Sequence, residues 1–246
     1  MSESKSEGSQ IGDYAPIVSA STDEGLPIVV GGQAANTWAL LYAPRIGDRL
    51  AAFRPFTSKD LDLAGDRRLL QEIHRIMGGE IRYSEPRTPV IGHVEIQIGK
   101  VIRRIEVLRD VKGLRQADLV DAIEVIVDGL RIRVLAPIKV LKAKICNTVT
   151  LDQQDRNDVN HVRIMIECVR EFIRDILVEA GAGRITQRDA VNLLEELRDT
   201  VSSPLAEKAA AMWELTYNPA WPMNDLRNCG MQKLERFVEH RLKTLD

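Results

Sequence analysis

Two carboxylates one residue apart, Asp60 and Asp62, lie in the run Ser58-Lys59-Asp60-Leu61-Asp62-Leu63. In an extended chain the side chains at i and i+2 share a face, so both acids point one way and the leucines the other. Two acids on one face make a cation site. Upstream, Gly31 and Gly32 stand between Ile28-Val29-Val30 and Gln33-Ala34-Ala35-Asn36-Thr37-Trp38-Ala39-Leu40-Leu41, the pattern of a turn from a buried strand into a helix. Such a turn lets the backbone approach a phosphate and aims the free N–H groups of the helix start at it. Phosphoryl chemistry needs both parts in one unit, because a metal must neutralise charge on oxygens that the cradle positions. Either half alone has an ordinary explanation, a solvated strand end or a tight turn. Their order and shared strand context favour chemistry.

The elements around these residues follow from periodicity. The helix after the glycines sets Ala35, Trp38, Ala39 and Leu41 or Tyr42 on one side and is expected to end at Pro44. Gly65-Asp66 opens a helix with Leu69, Leu70, Ile73, Ile76 and Met77 apolar, closed by Gly78-Gly79; Asp66 is therefore a cap and not a third ligand. Val90 to Ile98 and Val101 to Leu108 alternate and meet at Gly99-Lys100, which reads as a hairpin with Val94, Ile96 and Ile98 on one face and His93, Glu95 and Gln97 on the other. Its second arm, Ile105-Glu106-Val107-Leu108, places a carboxylate in a strand expected beside the Asp60/Asp62 strand. Asp128-Gly129 between Ile123–Val127 and 130–135 is a second hairpin signal.

Pro137 opens a helix through Cys146, with Ile138, Leu141 and Ile145 apolar and Lys139, Lys142 and Lys144 polar. Strand signals then stop. A long helix from about Val159 ends at Gly181-Ala182-Gly183, Thr186 to Asp189 caps another, Ser203-Pro204 starts a third, and a last helix is expected from Asp225 to Leu242. The domain reading is a flexible tail over 1–20, a sheet domain over 21–136 and a helical domain over 137–246.

The 246 residues carry 28% charged and 44% hydrophobic residues, the profile of a soluble globular chain with core enough for one large domain or two modest ones. A formal net charge of −2 argues against coating nucleic acid non-specifically, while leaving room for a local basic patch. Cys146, Cys168 and Cys229 are far apart and form no C-x-x-C pair, so they read as buried free thiols. The polar start and the lack of a spanning apolar run lead to the expectation of a cytoplasmic protein without a membrane partner.

On Val30-Gly31-Gly32-Gln33-Ala34, Thr57-Ser58-Lys59-Asp60-Leu61-Asp62-Leu63 and the later helix holding Lys144, the chain resembles the nucleotidyltransferase superfamily that includes the polymerase-beta-like minimal enzymes. Within it the likeness is to the AbiEii type, toxins of toxin–antitoxin pairs, over roughly 27–162. The resemblance implies an α+β fold: a nucleotidyltransferase-like mixed β-sheet domain with flanking helices, followed by an α-helical C-terminal domain. It further implies one or two Mg²⁺ ions on Asp60 and Asp62, with a third acid arriving on a neighbouring strand. Glu106 is the choice for that acid and Glu95 its competitor. Gly31, Gly32, Gln33, Ser58 and Lys59 would bind the nucleotide triphosphate, with Lys144 as a point charge on its phosphates. Implied partners are an NTP, tRNA or another RNA as acceptor, and a cognate antitoxin protein.

Three departures stand out. Twenty-eight positions separate Gly32 from Asp60, the extra length being Tyr42 to Phe56; the family more often has Asp where Glu106 stands; and His161 stands where an acid is common beside Asn157-Asp158. Arg45, Arg49, Arg54, Lys59, Arg67 and Arg68 outnumber Asp48 and Asp66 once Asp60 and Asp62 are committed to metal, an excess suited to a triphosphate or an RNA backbone, or to a solvated loop. Competing readings are a small-molecule enzyme like those modifying aminoglycosides, which needs an acidic pocket, and a non-catalytic interaction module.

Overall fold

The computed structural model describes residues 8–21 and 25–242. Ahead of the sheet, a 3-10 turn at Ile11–Tyr14 and helix α1 (Ala15–Val18) bury Ile11, Tyr14, Ile17 and Val18 in the core. The stretch expected as tail through residue 20 is thus anchored from Ser9 onward: Ser9 and Ser58 exchange backbone hydrogen bonds of 2.8 and 3.0 Å. Residues 1–7 of that expected tail lie outside the described residues.

Seven strands follow: β1 (Ile28–Val30), β2 (Asp60–Ala64), β3 (Glu80–Tyr83), β4 (Val90–Ile98), β5 (Val101–Leu108), β6 (Ile123–Val127) and β7 (Leu130–Val134). They form one mixed sheet in the order β3-β4-β5-β2-β1-β7-β6, with β2–β5 and β1–β7 parallel and the other pairs antiparallel. The strand carrying the two aspartates is therefore central. Asp62 is aligned with Glu106 on one side and Val30 on the other; Asp60 is aligned with Arg104. Leu61, Leu63, Val94, Ile96, Ile105 and Val107 are buried on the opposite face, where α3 (Arg67–Met77) brings Leu70 against Gly92. Asp66 caps α3 by accepting from the Arg68 and Leu69 N–H groups at 2.7 and 3.2 Å.

Helix α2 (Gly31–Ile46) starts at the first glycine itself. It runs past Pro44 to a cap at Gly47, whose N–H reaches the Ala43 carbonyl. Pro44 sits in the last turn, where it forfeits one ladder bond, to the Leu40 carbonyl, without ending the helix. Asp128 and Gly129 both adopt positive φ, 48° and 78°, the turn that fits a twisted hairpin.

The remaining helices are α4 (Pro137–Thr150), α5 (Asp158–Gly181), α6 (Gln187–Val201), α7 (Pro204–Trp213), α8 (Met223–Arg227) and α9 (Gln232–Arg241). The single C-terminal helix expected from Asp225 to Leu242 is two helices, split where Gly230 takes φ 69°. One continuous core joins these helices to the sheet layer. Trp38 of α2 stacks on Tyr42, meets Phe172 of α5 at a centroid distance of 6.2 Å, and donates its indole N–H to the Leu135 carbonyl at 2.8 Å. Arg45 ties the end of α2 to Glu171 and Asp175 of α5. The architecture is α+β, a mixed sheet with flanking helices followed by a run of helices. Among the described residues no helix is long and apolar enough to cross a membrane.

Candidate active site

The strand-to-helix bend at Gly31 and the carboxylate of Asp62 are in contact. Gly31 has φ +64°, and a Cβ built on it would lie 1.8 Å from Asp62 Oδ2. Only a glycine lets the acid occupy that place. Gly32 is pressed from two other directions: its Cβ would lie 2.6 Å from Ser58 Oγ and 3.2 Å from His161 Cε1. The N-terminus of a sixteen-residue helix, the Asp62 carboxylate and the Ser58 hydroxyl therefore meet at this bend, which sets the anion-attracting end of α2 beside an acid.

The register sets the acids. Asp60, Asp62 and Glu106 share the face opposite Leu61 and Leu63, with His93 aligned with Glu106 and Glu95 with Arg104. Burial, then the nearby Glu106 carboxylate, push Asp62 up to about 7, against the pull of Lys144. Burial also raises Asp60, tempered by Arg104 and Lys59. Acids crowded together out of water are short of positive charge, which is the condition a divalent cation relieves. Among the described residues, however, no three carboxylate, histidine or cysteine side chains converge as a ready-made metal cage. The donor set fits Mg²⁺ in its usual manner, one or two carboxylates with the remaining positions left to water and substrate phosphates. Glu95 lies farther out, within 3.7 Å of His93 and 3.6 Å of Arg104, and Glu106 is the acid in line with Asp62.

Two expected nucleotide contacts are placed otherwise. The Gln33 side chain is fully buried and donates its amide to the Ser9 carbonyl at 2.8 Å, so it braces the segment that carries Ser58; only its backbone remains for a phosphate. Lys144 is no exposed helix lysine or free point charge: it is 4% exposed, and its ammonium lies 2.7 Å from Asp158 Oδ1. Arg156 holds the other oxygen of Asp158 at 2.6 Å. Lys59 does stand at the mouth, with Nζ 3.3 Å from the Asp155 carbonyl.

Arg156, Arg104 and His93 belong to the site and were not singled out by sequence pattern. Arg156 sits two residues before Asp158, and that proximity of opposite charges at a helix start was the available signal. His93 was legible only as a polar-face residue of the hairpin; its Nε2 is buried without a hydrogen-bond partner. His161, 3% exposed and with neither ring nitrogen hydrogen-bonded, is kept neutral by burial and by the adjacent Lys144.

No protein-family model matches the chain, and no curated protein matches it. Among solved structures the chain is similar to an antigenic nucleotidyltransferase-like protein from Paracoccidioides brasiliensis, at 16% identity and a TM-score of 0.38, covering 77% of this chain and 88% of that one.

Proposed function

We propose that the chain is a metal-dependent nucleotidyltransferase that moves a nucleoside monophosphate from an NTP to a hydroxyl of RNA. The observation that carries this reading is the contact between Asp62 and Gly31, which sets a carboxylate suited to a cation against a helix start suited to a phosphate. In the reaction the acceptor oxygen forms a bond to the α-phosphorus, the bond from that phosphorus to the β-phosphate bridge breaks, and pyrophosphate leaves. Backbone N–H groups at Gly31–Gly32, with Ser58 and Lys59, hold the phosphates. Asp60 and Asp62 would hold the Mg²⁺, one or two ions, which supplies neutralisation of the triphosphate oxygens. Glu106 would receive the proton of the attacking hydroxyl. No enzyme nucleophile is involved, so positioning and charge supply the rate.

An RNA acceptor is supported by the charge at the mouth. The exposed Lys59, Arg104 and Arg156 all act on Asp60 or Asp62, and with those two acids committed to metal these cations suit a phosphate backbone better than the cationic small molecule that needs an acidic pocket. The resemblance adds the tRNA 3′ end as acceptor and a toxin role with a cognate antitoxin; induced expression should then arrest growth only with Asp60 and Asp62 intact. The direct test is incubation with each labelled NTP, Mg²⁺ and total cellular RNA, resolved on a gel. Label entering RNA with wild type and absent with Asp60→Asn establishes the activity; no incorporation with any NTP overturns it.

A further inference from the structure

Beside the acid cleft, on the far side of the Arg156–Asp158 pair, an open groove of about 610 Å³ runs between the end of α4, the 151–156 loop, the first turns of α5 and the last turn of α7. Its walls hold Trp213, Met212 and Val159, with Arg156, Arg163 and Asn160 along them. Met212 is 49% exposed although large and apolar, and Trp213 is half-buried, its N–H fixed on the Thr148 carbonyl at 3.1 Å. Arg163 is held alongside by bonds to the Trp213 carbonyl and Asn160 Oδ1. An immobilised indole with an arginine beside it is a stacking surface for a planar base, and two guanidinium groups against the single acid Asp152 suit a phosphate backbone. Amide groups at the rim can serve base edges.

The groove is linked to the acids through Arg156, which lines it and acts on Asp62. Arg156 lines it while bonding Asp158, whose other oxygen takes Lys144, and Lys59, next to Asp60, reaches the carbonyl of Asp155, next to Arg156. A strand lying in the groove would deliver its end to the acids. The groove is open along its length, as suits a strand passing through it and not a pocket closed around one nucleotide.

We infer that this groove is the acceptor subsite, holding the last unpaired nucleotide or nucleotides of an RNA strand with a base against Trp213. The inference rests on the proposed transfer reaction for its meaning but is tested without it. A short single-stranded RNA, added with no NTP, should quench tryptophan fluorescence in wild type. Binding, read in every variant by the anisotropy of a dye-labelled copy of the same RNA, should weaken about 10-fold in Trp213→Ala, be restored largely in Trp213→Phe, and weaken in Arg163→Ala, an exposed position where folding is safe. ATP alone should leave the signal unchanged. In transfer assays Trp213→Ala should raise the KM for RNA and leave that for NTP as it was.

Equal RNA affinity in wild type, Trp213→Ala and Arg163→Ala overturns the assignment, even if transfer to RNA is observed. A signal that follows ATP and not RNA assigns the groove to the nucleotide's own base and likewise overturns it. RNA binding that depends on Trp213 in a protein that transfers nothing upholds the groove and removes the reaction.

Discussion

The Asp62 carboxylate lies against the backbone of Gly31 so closely that a methyl group on the glycine would have to share its place. Gly31→Ala therefore meets two penalties: a left-handed backbone with a side chain, about 1–2 kcal/mol, and displacement of the acid. The melting temperature should fall by at least about 2 °C, and NMP transfer by on the order of 100-fold, since a 1 Å shift of a catalytic group has that effect. Thermal melts and initial rates decide it; an active Gly31→Ala protein would mean that Asp62 is not required where it stands.

Asp62 should cost the folded protein stability at alkaline pH. Because burial first, and Glu106 second, push it up to about 7, the folded chain holds that proton more firmly than the unfolded chain, in which Asp has its ordinary value near 3.9. The stabilising contribution is complete below about pH 4, declines as pH rises and is gone above about pH 7. Asp62→Asn should melt several degrees above wild type at pH 8 in EDTA and close to it at pH 4. A wild type that is the more stable of the two at pH 8 would contradict this.

The buried pair of Lys144 and Asp158 predicts the opposite slope. Burial alone would raise Asp158, but Lys144 and Arg156 outweigh it and hold the acid well down. Its contribution is present at neutral pH and is lost as pH falls below about 4. Lys144→Met should be destabilised by about 3 kcal/mol at pH 7, with the gap to wild type narrowing in acid. Denaturant melts at pH 7 and pH 3 measure it; a constant gap would show that the pair does not control the titration.

Gln33→Ala should loosen the loop that carries Ser58. Loss of the amide leaves the Ser9 carbonyl with only the bond it accepts from the Ser58 N–H, a cost of about 0.5–1.5 kcal/mol for the bond removed. The KM for NTP should rise in step with faster protease cleavage near residues 8–10 and 57–59, and unchanged cleavage with unchanged KM would remove the bracing role.

The parts of the cleft that lie on regular strands were readable in advance. Alternation around Asp60 and Asp62 and along the β4–β5 hairpin is enough to put Asp60, Asp62 and Glu106 on one face, but not to pair Glu106 with Asp62, because a slip of two residues leaves the same faces buried. What escaped depends on distance in sequence. Lys139 looks as solvated as any helix lysine, yet it is buried against Asp118, Asp121 and Glu196, which come from a loop and a separate helix. Lys144 is buried for the same kind of reason. Strand β3 gave little signal because it is an edge strand with three exposed positions among its four residues. Ile11, Tyr14, Ile17 and Val18 do repeat at helical spacing, but two short turns lack the length that makes periodicity persuasive.

The central position of β2 has a consequence for how the protein comes into being. Its neighbours are supplied by segments before and after it in the chain, and the last groups to act on Asp62, Lys144 and Arg156, come from α4 and the loop before α5. Contacts of such wide sequence separation form slowly. A ribosome must have released the chain as far as His161 before Gly32 and Asp62 have all the neighbours that surround them in the folded protein, so a nascent chain holding both aspartates and Glu106 still lacks that setting.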